Sequence, residues 1–104
     1  MDFLEQKGDT MFVRLPQEID HHHVHSLSER IDGAMIGQCP NKLVFDFSAV
    51  RFMDSSGIGL LIGRQRIMQR FGGQVYVQNV QGHIAKLLKL SGIEKMIRKY
   101  EEMI

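Results

Sequence analysis

The stretch VRFMDSSGIGLLIGR, residues 50–64, joins the most apolar segment of the chain to a helix. Directly before it, residues 43–47 read LVFDF, a short and dense apolar run that is typical of a central strand buried on both faces. Helical character continues from about residue 56 to residue 71 and ends at the Gly72-Gly73 pair. The centre of the chain therefore predicts a strand, a connection and a helix.

Regular elements are also predicted on the N-terminal side of this centre. Residues 11–15 (MFVRL) predict a strand, Gly8 and Asp9 a hairpin turn, and residues 3–5 an edge partner. Four apolar residues then recur at helical spacing and predict the first helix: Val24, Leu27, Ile31 and Met35. We expect Asp20 to cap that helix and Gly37 to end it.

The C-terminal side continues the alternation of strands and helices. Residues 74–80 (QVYVQNV) alternate as a strand, and residues 96–98 predict a last short one. Between them lie the residues that mark a third helix: Ile84, Leu87, Leu88 and Ser91, with Gly92 as its end. Such alternation implies right-handed crossovers and largely parallel pairing. We predict an α/β fold, a mixed four- to five-stranded sheet flanked by about three or four helices.

Length and composition indicate one globular domain, residues 1–104, with ordinary fractions of 43% apolar and 24% charged residues. The lone Cys39 cannot form an internal disulfide, which fits a reducing compartment. A net charge of +1 argues against nucleic acid as a partner, and we interpret Arg64, Arg66 and Arg70 as the solvated face of a helix. No apolar run approaches the roughly 20 residues of a membrane span. The N-terminus lacks the basic and apolar regions of a signal peptide, so we expect a cytoplasmic protein.

Asp54, Ser55 and Ser56 crowd together at the predicted start of the central helix, where backbone N–H groups lack partners within the helix. Capping is the simplest interpretation, because Ser and Asp are favoured N-cap residues. The other interpretation is that a hydroxyl is presented there for phosphorylation. A helix N-terminus stabilises added negative charge, although Asp54 places a like charge beside it.

The first two turns of this helix are almost wholly apolar or glycine. Their large apolar residues are Ile58, Leu60, Leu61 and Ile62. Successive residues are about 100° apart around a helix, so these four cannot all face one sheet. Some of them must pack into a second buried layer or stay exposed as a docking surface.

Two chemical motifs fail here on spacing. A nucleophile elbow requires G-x-S-x-G, but Met53 stands two residues before Ser55, and Asp54 two residues before Ser56. The glycines that follow give G-x-G-x-x-x-G, one residue longer than the dinucleotide fingerprint. We therefore predict no catalytic site and no cofactor.

A histidine cluster precedes the first helix and invites a metal interpretation. Its members are His21, His22, His23 and His25. His21 and His25 are one helical turn apart, a spacing that can ligate zinc. No further His, Cys or paired carboxylate is placed in the sequence to complete four ligands. We predict an exposed polar helix start and no metal site.

Residues 52–59 (FMDSSGIG) resemble the signature of the anti-sigma factor antagonists, members of the STAS domain family. Three further segments match in the same order: residues 18–22 (EIDHH), residues 72–73 (GG) and residues 90–93 (LSGI). D-S-S-G alone is a weak signal, but the ordered set spans most of the chain. The His-rich loop and the D-S-S-G spelling favour the sporulation branch.

The resemblance implies a STAS-like fold and a switch based on exchange of partners. The unphosphorylated protein of this family binds a dimeric anti-sigma factor that is also an ATP-dependent serine kinase, and this frees the sigma factor. The kinase then phosphorylates the serine directly before the glycine, here Ser56, with Ser55 as a capping or supporting residue. A serine phosphatase resets the switch. The implied docking residues are Asp20, His21, Asp54, Ser55, Ser56, Gly57, Ile58, Leu60 and Leu61.

By the same resemblance the protein is a kinase substrate and not an enzyme, and it is a monomer when free, without direct contact to nucleic acid or membrane. Two departures from the family pattern stand out: Gln17 follows Pro16 where relatives commonly carry glycine, and the chain ends at Ile104 where many relatives continue into a further helix. Two alternatives stay open. One is an antagonist serving a general stress-response sigma factor, and the other is a small nucleotide-binding or hydrolytic protein that uses Ser56.

Overall fold

The computed structural model describes residues 3–101 of the chain, which form strands and helices in the predicted alternation. The strands are β1 (Leu4–Lys7), β2 (Thr10–Arg14), β3 (Glu18–Ile19), β4 (Lys42–Asp46), β5 (Phe52–Met53), β6 (Gln74–Gln78) and β7 (Arg98–Lys99). The helices are α1 (Val24–Gln38), α2 (Ser55–Arg70) and α3 (Gly82–Ser91), followed by a short 3₁₀ turn at Ile93–Lys95. The predicted hairpin turn is present, and Gly8 supplies its left-handed backbone with φ of +60°.

The main sheet has five strands in the order β1-β2-β4-β6-β7. β1 pairs with β2 antiparallel, and every other pairing is parallel, as the alternation of strands and helices predicts. Each helix connects one parallel strand to the next, always stepping in the same direction. Right-handed crossovers therefore place the three helices on one face of the sheet. The α/β class and the mixed sheet are confirmed.

The hydrophobic core lies between that face and the helices. It combines apolar side chains of β2, β4 and β6 with those of all three helices, among them Val13, Leu43, Phe45, Val75, Ile31, Leu61 and Leu88. The opposite face of the sheet carries Phe12, Val44 and Tyr76 side by side in register. The ring of Tyr100 packs edge-on against Phe12 and Tyr76, with centroids 5.6 Å apart in both pairs. Val44 is 0% exposed, so β4 is buried on both faces, as its composition predicts.

The ends of α1 differ from the prediction. Asp20 does not cap this helix directly, because the helix begins at Val24 with His23 as its N-cap residue. The Asp20 carboxylate instead accepts the backbone N–H groups of His22 and His23, both at 3.1 Å, and so caps the turn in front of the helix. Gly37 lies within α1, which ends at Gln38, and the left-handed residue that follows it is Cys39.

Arg64 links α2 to α1. Its Nη1 donates to Ser28 Oγ at 2.9 Å, and its Nε lies 3.0 Å from Asp32 Oδ1. The side chain is only 12% exposed, so its assignment to a solvated helix face was wrong. Arg66 and Arg70 are exposed as predicted. Two positions along a helix correspond to a rotation of about 200°, which turns Arg64 and Arg66 to opposite sides.

A second, two-stranded sheet was not predicted from the sequence. β3 pairs with β5 in parallel, Glu18 opposite Phe52 and Ile19 opposite Met53. Two residues are too few to show an alternating pattern, which is why these strands have no sequence signal. This small sheet fixes the chain before α1 against the chain before α2.

Candidate functional site

Asp54, Ser55 and Ser56 form the start of α2, which follows directly after β5 at the surface of the protein. Asp54 is the N-cap: its backbone is extended and its Oδ1 accepts the N–H of Ser56 at 2.8 Å. Ser55, expected as the capping or supporting residue, is the exposed first residue of the helix and does not cap it. Aspartate takes the cap here because its carboxylate carries the charge that the helix dipole favours. Ser56 is the second helical residue and is half-buried.

The small sheet brings the Asp20 loop to the start of α2, as the resemblance implies. The N–H of Asp54 donates to the carbonyl of Ile19 at 3.0 Å, so Asp20 and His21 follow directly beside it. His21 Nδ1 lies 3.9 Å from Asp54 Oδ2, and the His21 side chain is 72% exposed. The structure therefore collects Asp20, His21, Asp54 and Ser56 around one patch of surface.

The apolar residues of the first turns of α2 divide into two groups. Leu60 and Leu61, both predicted as docking residues, are 3% and 1% exposed and pack in the core, so their side chains offer almost no surface to a partner in this structure. Ile58 and Ile62 are half-buried at the core's edge. Which of these four side chains turn outward depends on where α1 and the main sheet lie. Helical spacing alone does not give the positions of those elements.

Gly57, also predicted as a docking residue, is buried. A Cβ at this position would overlap the side chain of Met53 and lie 3.3 Å from Ile19 Cγ2. Gly57 therefore serves the site by letting the start of α2 pack closely on the small sheet. Gly59, two residues on, is exposed, and nothing lies within 4 Å of the place where its Cβ would be.

Comparison with known proteins shows the family of this chain. The family model of the STAS domain matches residues 4–103. This chain belongs to the STAS domain family. The anti-sigma F factor antagonist of Paenibacillus polymyxa is 30% identical over 101 residues, which cover 97% of this chain and 86% of that protein.

Solved structures agree with the assignment to the STAS domain family. The unphosphorylated form of the anti-sigma factor antagonist SpoIIAA superposes with a TM-score of 0.82 and is 30% identical, covering 95% of this chain and 87% of that one. The phosphorylated form of the Bacillus cell fate determinant SpoIIAA gives a TM-score of 0.73 at 30% identity, covering 95% and 90%. The predicted family and fold are confirmed.

Phe52 is a surface residue of this STAS domain that sequence analysis did not select as a docking residue. Its side chain is 48% exposed, whereas its neighbour Met53 is 5% exposed. Successive residues of a strand point to opposite faces, so the burial of Met53 under α2 turns Phe52 outward. An aromatic residue two positions before the D-S-S-G motif was the available signal.

Two further histidines of the STAS domain lie beside carboxylates. His23 Nδ1 lies 2.7 Å from Asp20 Oδ1, and His25 Nε2 lies 2.6 Å from Glu29 Oε1. Within residues 3–101, no group of three or more His, Cys, Asp or Glu residues could hold a metal ion. No helix in that same part of the chain is long and apolar enough to cross a membrane.

Two carboxylates beside Ser56 hold their negative charge. The pKa of Asp54 is lowered from its ordinary value of 3.8, first by the N–H of Ser56 and further by the Ser56 hydroxyl and by His21, while burial opposes the change. Burial also opposes the shift at Asp20, but hydrogen bonds from His23 and His22 still lower the pKa of this carboxyl. The backbone N–H of Ser56 therefore donates to a carboxylate that is ionised at neutral pH.

A lowered pKa of Asp54 implies a pH-dependent contribution to the stability of the STAS domain. A group whose pKa is lower in the folded state stabilises the fold above its unfolded pKa, and loses that effect as the pH falls through the folded value. We expect Asp54→Asn to lower the melting temperature at pH 7, and the difference from the wild type to shrink as the pH falls below about 4. Thermal unfolding followed by circular dichroism between pH 7 and pH 2.5 measures this.

Glu18→Gln is the matched control, because Glu18 is an exposed carboxylate on the neighbouring strand β3. We expect its effect on the melting temperature to be small at every pH. A difference between wild type and Asp54→Asn that stays constant down to pH 2.5 would contradict the role of the ionised carboxylate in capping α2.

Proposed function

We propose that this chain is an anti-sigma factor antagonist: a single STAS domain, residues 1–104, that acts in the cytoplasm and is monomeric when free. In its unphosphorylated form it binds an anti-sigma factor that is also a serine kinase, and this binding frees the sigma factor. Phosphorylation of Ser56 by that kinase ends the complex, and a serine phosphatase restores the binding form. The observation that carries this proposal is the half-buried Ser56 at the start of α2, inside a chain 30% identical to a named antagonist.

We define the Ser56 surface as the patch that docks the anti-sigma factor. It consists of Asp20, His21, Phe52, Asp54, Ser55, Ser56 and Ile58, with Gly57 beneath it. The patch combines an exposed aromatic ring with two carboxylates whose charge is retained. An apolar centre beside charged groups is the usual composition of a protein interface, since apolar burial supplies affinity and charge supplies orientation.

Ser56 is the better candidate for phosphorylation than Ser55. It stands directly before the glycine, as the family motif requires, and its backbone N–H donates to the Asp54 carboxylate at 2.8 Å, which fixes its place at the helix start. In the transfer, Ser56 Oγ bonds to the γ-phosphorus of ATP, the bond from that phosphorus to the β,γ-bridging oxygen breaks, and the hydroxyl proton leaves. ADP and phosphoserine result. The STAS domain supplies the hydroxyl, and the bound kinase supplies the nucleotide and the catalysis.

A role in sporulation is the branch that we favour. The relative from Paenibacillus polymyxa that covers 97% of this chain is named for sigma F, and the neighbour SpoIIAA exists in both unphosphorylated and phosphorylated forms. Those names support the same assignment for this chain, and they support reversible phosphorylation as its control.

The test of this proposal is mass spectrometry of the intact protein and its peptides after incubation with the cognate anti-sigma kinase and Mg-ATP. We expect one phosphoryl group, carried by Ser56, and none in Ser56→Ala. Ser55→Ala is the matched control, because it removes the neighbouring exposed hydroxyl and should leave modification intact. A phosphoryl group that persists in Ser56→Ala would overturn the site. No modification by an active kinase would overturn the switch.

A further inference from the structure

The loop between β3 and α1 places a histidine ring beside the carboxylate that caps α2. His21 Nδ1 lies 3.9 Å from Asp54 Oδ2, and the other oxygen of the same carboxylate accepts the backbone N–H of Ser56 at 2.8 Å. His21 and Ser56 therefore lie beside the two oxygens of one carboxylate. The small sheet fixes this arrangement, because the N–H of Asp54 donates to the carbonyl of Ile19 at 3.0 Å.

His21 differs from its neighbouring histidines in the carboxylate that it meets. His23 Nδ1 lies 2.7 Å from Asp20 Oδ1, and His25 Nε2 lies 2.6 Å from Glu29 Oε1 within α1. The His21 ring lies at the start of α2 instead, and its side chain is 72% exposed. Exposed side chains change rotamer within nanoseconds, so this ring can turn toward a group added to Ser56.

The groups that surround the His21 ring carry more negative than fixed positive charge. Within the described residues, the titratable groups beside this ring are two carboxylates and two imidazoles: Asp54 at the start of α2, and Asp20, His22 and His23 in its own loop. Glu18 on β3 and Arg51 directly before β5 are exposed, so solvent screens their charges. A phosphoryl group on Ser56 adds about −1.5 to −2 charges to this surface. A protonated imidazole is the complement of that added charge.

We propose that His21, in its protonated form, is the counter-ion of the phosphoryl group on Ser56. This pairing rests on the proposed function, because it concerns the phosphorylated form of the same serine. The ring takes its proton from solvent and then lies between two anions, the Asp54 carboxylate and the phosphoryl group. Hydrogen bonds from a charged donor to a phosphate oxygen are stronger than neutral ones.

The pairing makes the charge that the phosphorylated form presents to a partner depend on pH. Histidine is the side chain that changes its charge between about pH 5 and pH 8. At the acidic end of this range His21 offsets part of the phosphoryl charge, and at the basic end the phosphoryl charge stands without that offset. Phosphorylation should therefore oppose docking most strongly on the basic side of neutrality.

Phosphorus NMR of the full chain, with phosphoserine placed at position 56 during translation, tests the pairing without a kinase. A neighbouring cation favours the dianion, so the second pKa of the phosphoserine, ordinarily about 6, should be lower in the wild type than in His21→Gln. We expect a difference of about half a unit, which is about threefold in proton affinity. Salt at about 0.5 M should reduce this difference, since the pair is exposed.

Two further variants separate the charge of His21 from its place in the structure. His21→Lys keeps a cation and should restore the low pKa of the phosphoserine. His25→Gln is the matched control, because the His25 ring is paired with Glu29 on α1, and it should titrate as the wild type does.

Three results would overturn the pairing. One is an equal pKa of the phosphoserine in the wild type and in His21→Gln, with amide spectra that show both proteins folded. Another is a rise in His25→Gln as large as in His21→Gln, which would indicate net charge and not contact. The third is a His21→Lys variant that titrates like His21→Gln. Because the phosphoserine is placed during translation, a failure of the anti-sigma kinase to modify Ser56 would count against the proposed function alone.

Discussion

Phosphorylation of Ser56 is expected to weaken the complex with the anti-sigma kinase by roughly 30- to 150-fold, which corresponds to about 2–3 kcal/mol. The phosphoryl group adds about −1.5 to −2 charges and a strongly hydrated group to a patch that must lose water when the partner docks. Phe52, 48% exposed, lies in the same patch and supplies the apolar surface that docking buries. Burial of the apolar surface favours docking, whereas the hydrated phosphoryl group in the same interface disfavours it.

The Asp54 carboxylate makes the effect larger than the charge alone. Its Oδ1 is 2.8 Å from the backbone nitrogen of Ser56, and its lowered pKa keeps it ionised at neutral pH. A phosphoryl group on Ser56 Oγ places a second anion in the residue whose backbone N–H this carboxylate accepts. Like charges two residues apart at one helix start repel, and burial by a partner reduces the solvent screening of that repulsion. The N-terminal end of the α2 dipole offsets only part of it.

The measurement is the dissociation constant of phosphorylated and unphosphorylated protein with the kinase, by calorimetry at 0.15 M salt. In Asp54→Asn the ratio between the two forms should be several-fold smaller, because one source of repulsion is gone. Ser55→Asp is the control for charge alone, since Ser55 is exposed one residue away, and we expect a smaller loss than phosphorylation of Ser56 causes. Equal affinity of the phosphorylated and unphosphorylated forms would refute phosphorylation as the release signal.

Most of the fold was predictable because its main elements are long enough to show their periods. The five residues of β4 and the sixteen of α2 carry clear apolar patterns, and the order of strands and helices follows from them. The pair β3 and β5 was not predictable, since two residues per strand cannot alternate. That pair of strands nevertheless places the Asp20 loop beside Ser56. The arrangement of the candidate site therefore depends on two strands that the sequence does not reveal.

In the candidate site, too, features that depend on neighbouring residues were predictable and features that depend on packing were not. The D-S-S-G signature and the helix start depend on neighbouring residues alone, and the structure places them where the sequence predicts. The burial of Leu60 and Leu61 and the contact of Arg64 with α1 depend on the direction from which other elements pack on α2. Helical spacing gives the angle between two side chains but not the direction of the core. The docking residues that the resemblance implies therefore include two core residues, Leu60 and Leu61.

Gly57→Val is expected to lower the free energy of unfolding by about 3 kcal/mol, the upper end of the cost of overpacking. The added Cβ overlaps the Met53 side chain and also approaches Ile19, both of which belong to the small sheet. Relief requires Met53 to leave its position in the core or α2 to move away from β5. Chemical denaturation of the variant and the wild type measures the loss.

Gly59→Val is the matched control, because it makes the same substitution in the same helix at a position where nothing lies within 4 Å of the new Cβ. Its free energy of unfolding should stay within about 0.5 kcal/mol of the wild type, as for most exposed substitutions. Equal losses in the two variants would mean that helix propensity, and not the contact with Met53, determines the cost. Gly59 is not part of the Ser56 surface but lies exposed at its border, one turn beyond Ser55, so an added valine side chain should obstruct docking and weaken binding of the anti-sigma kinase. We expect Gly57→Val to lose stability and Gly59→Val to stay stable but bind the kinase weakly. These two results together would show that Gly57 supports the packing of α2 on the small sheet, whereas Gly59 lies on the surface that the partner approaches.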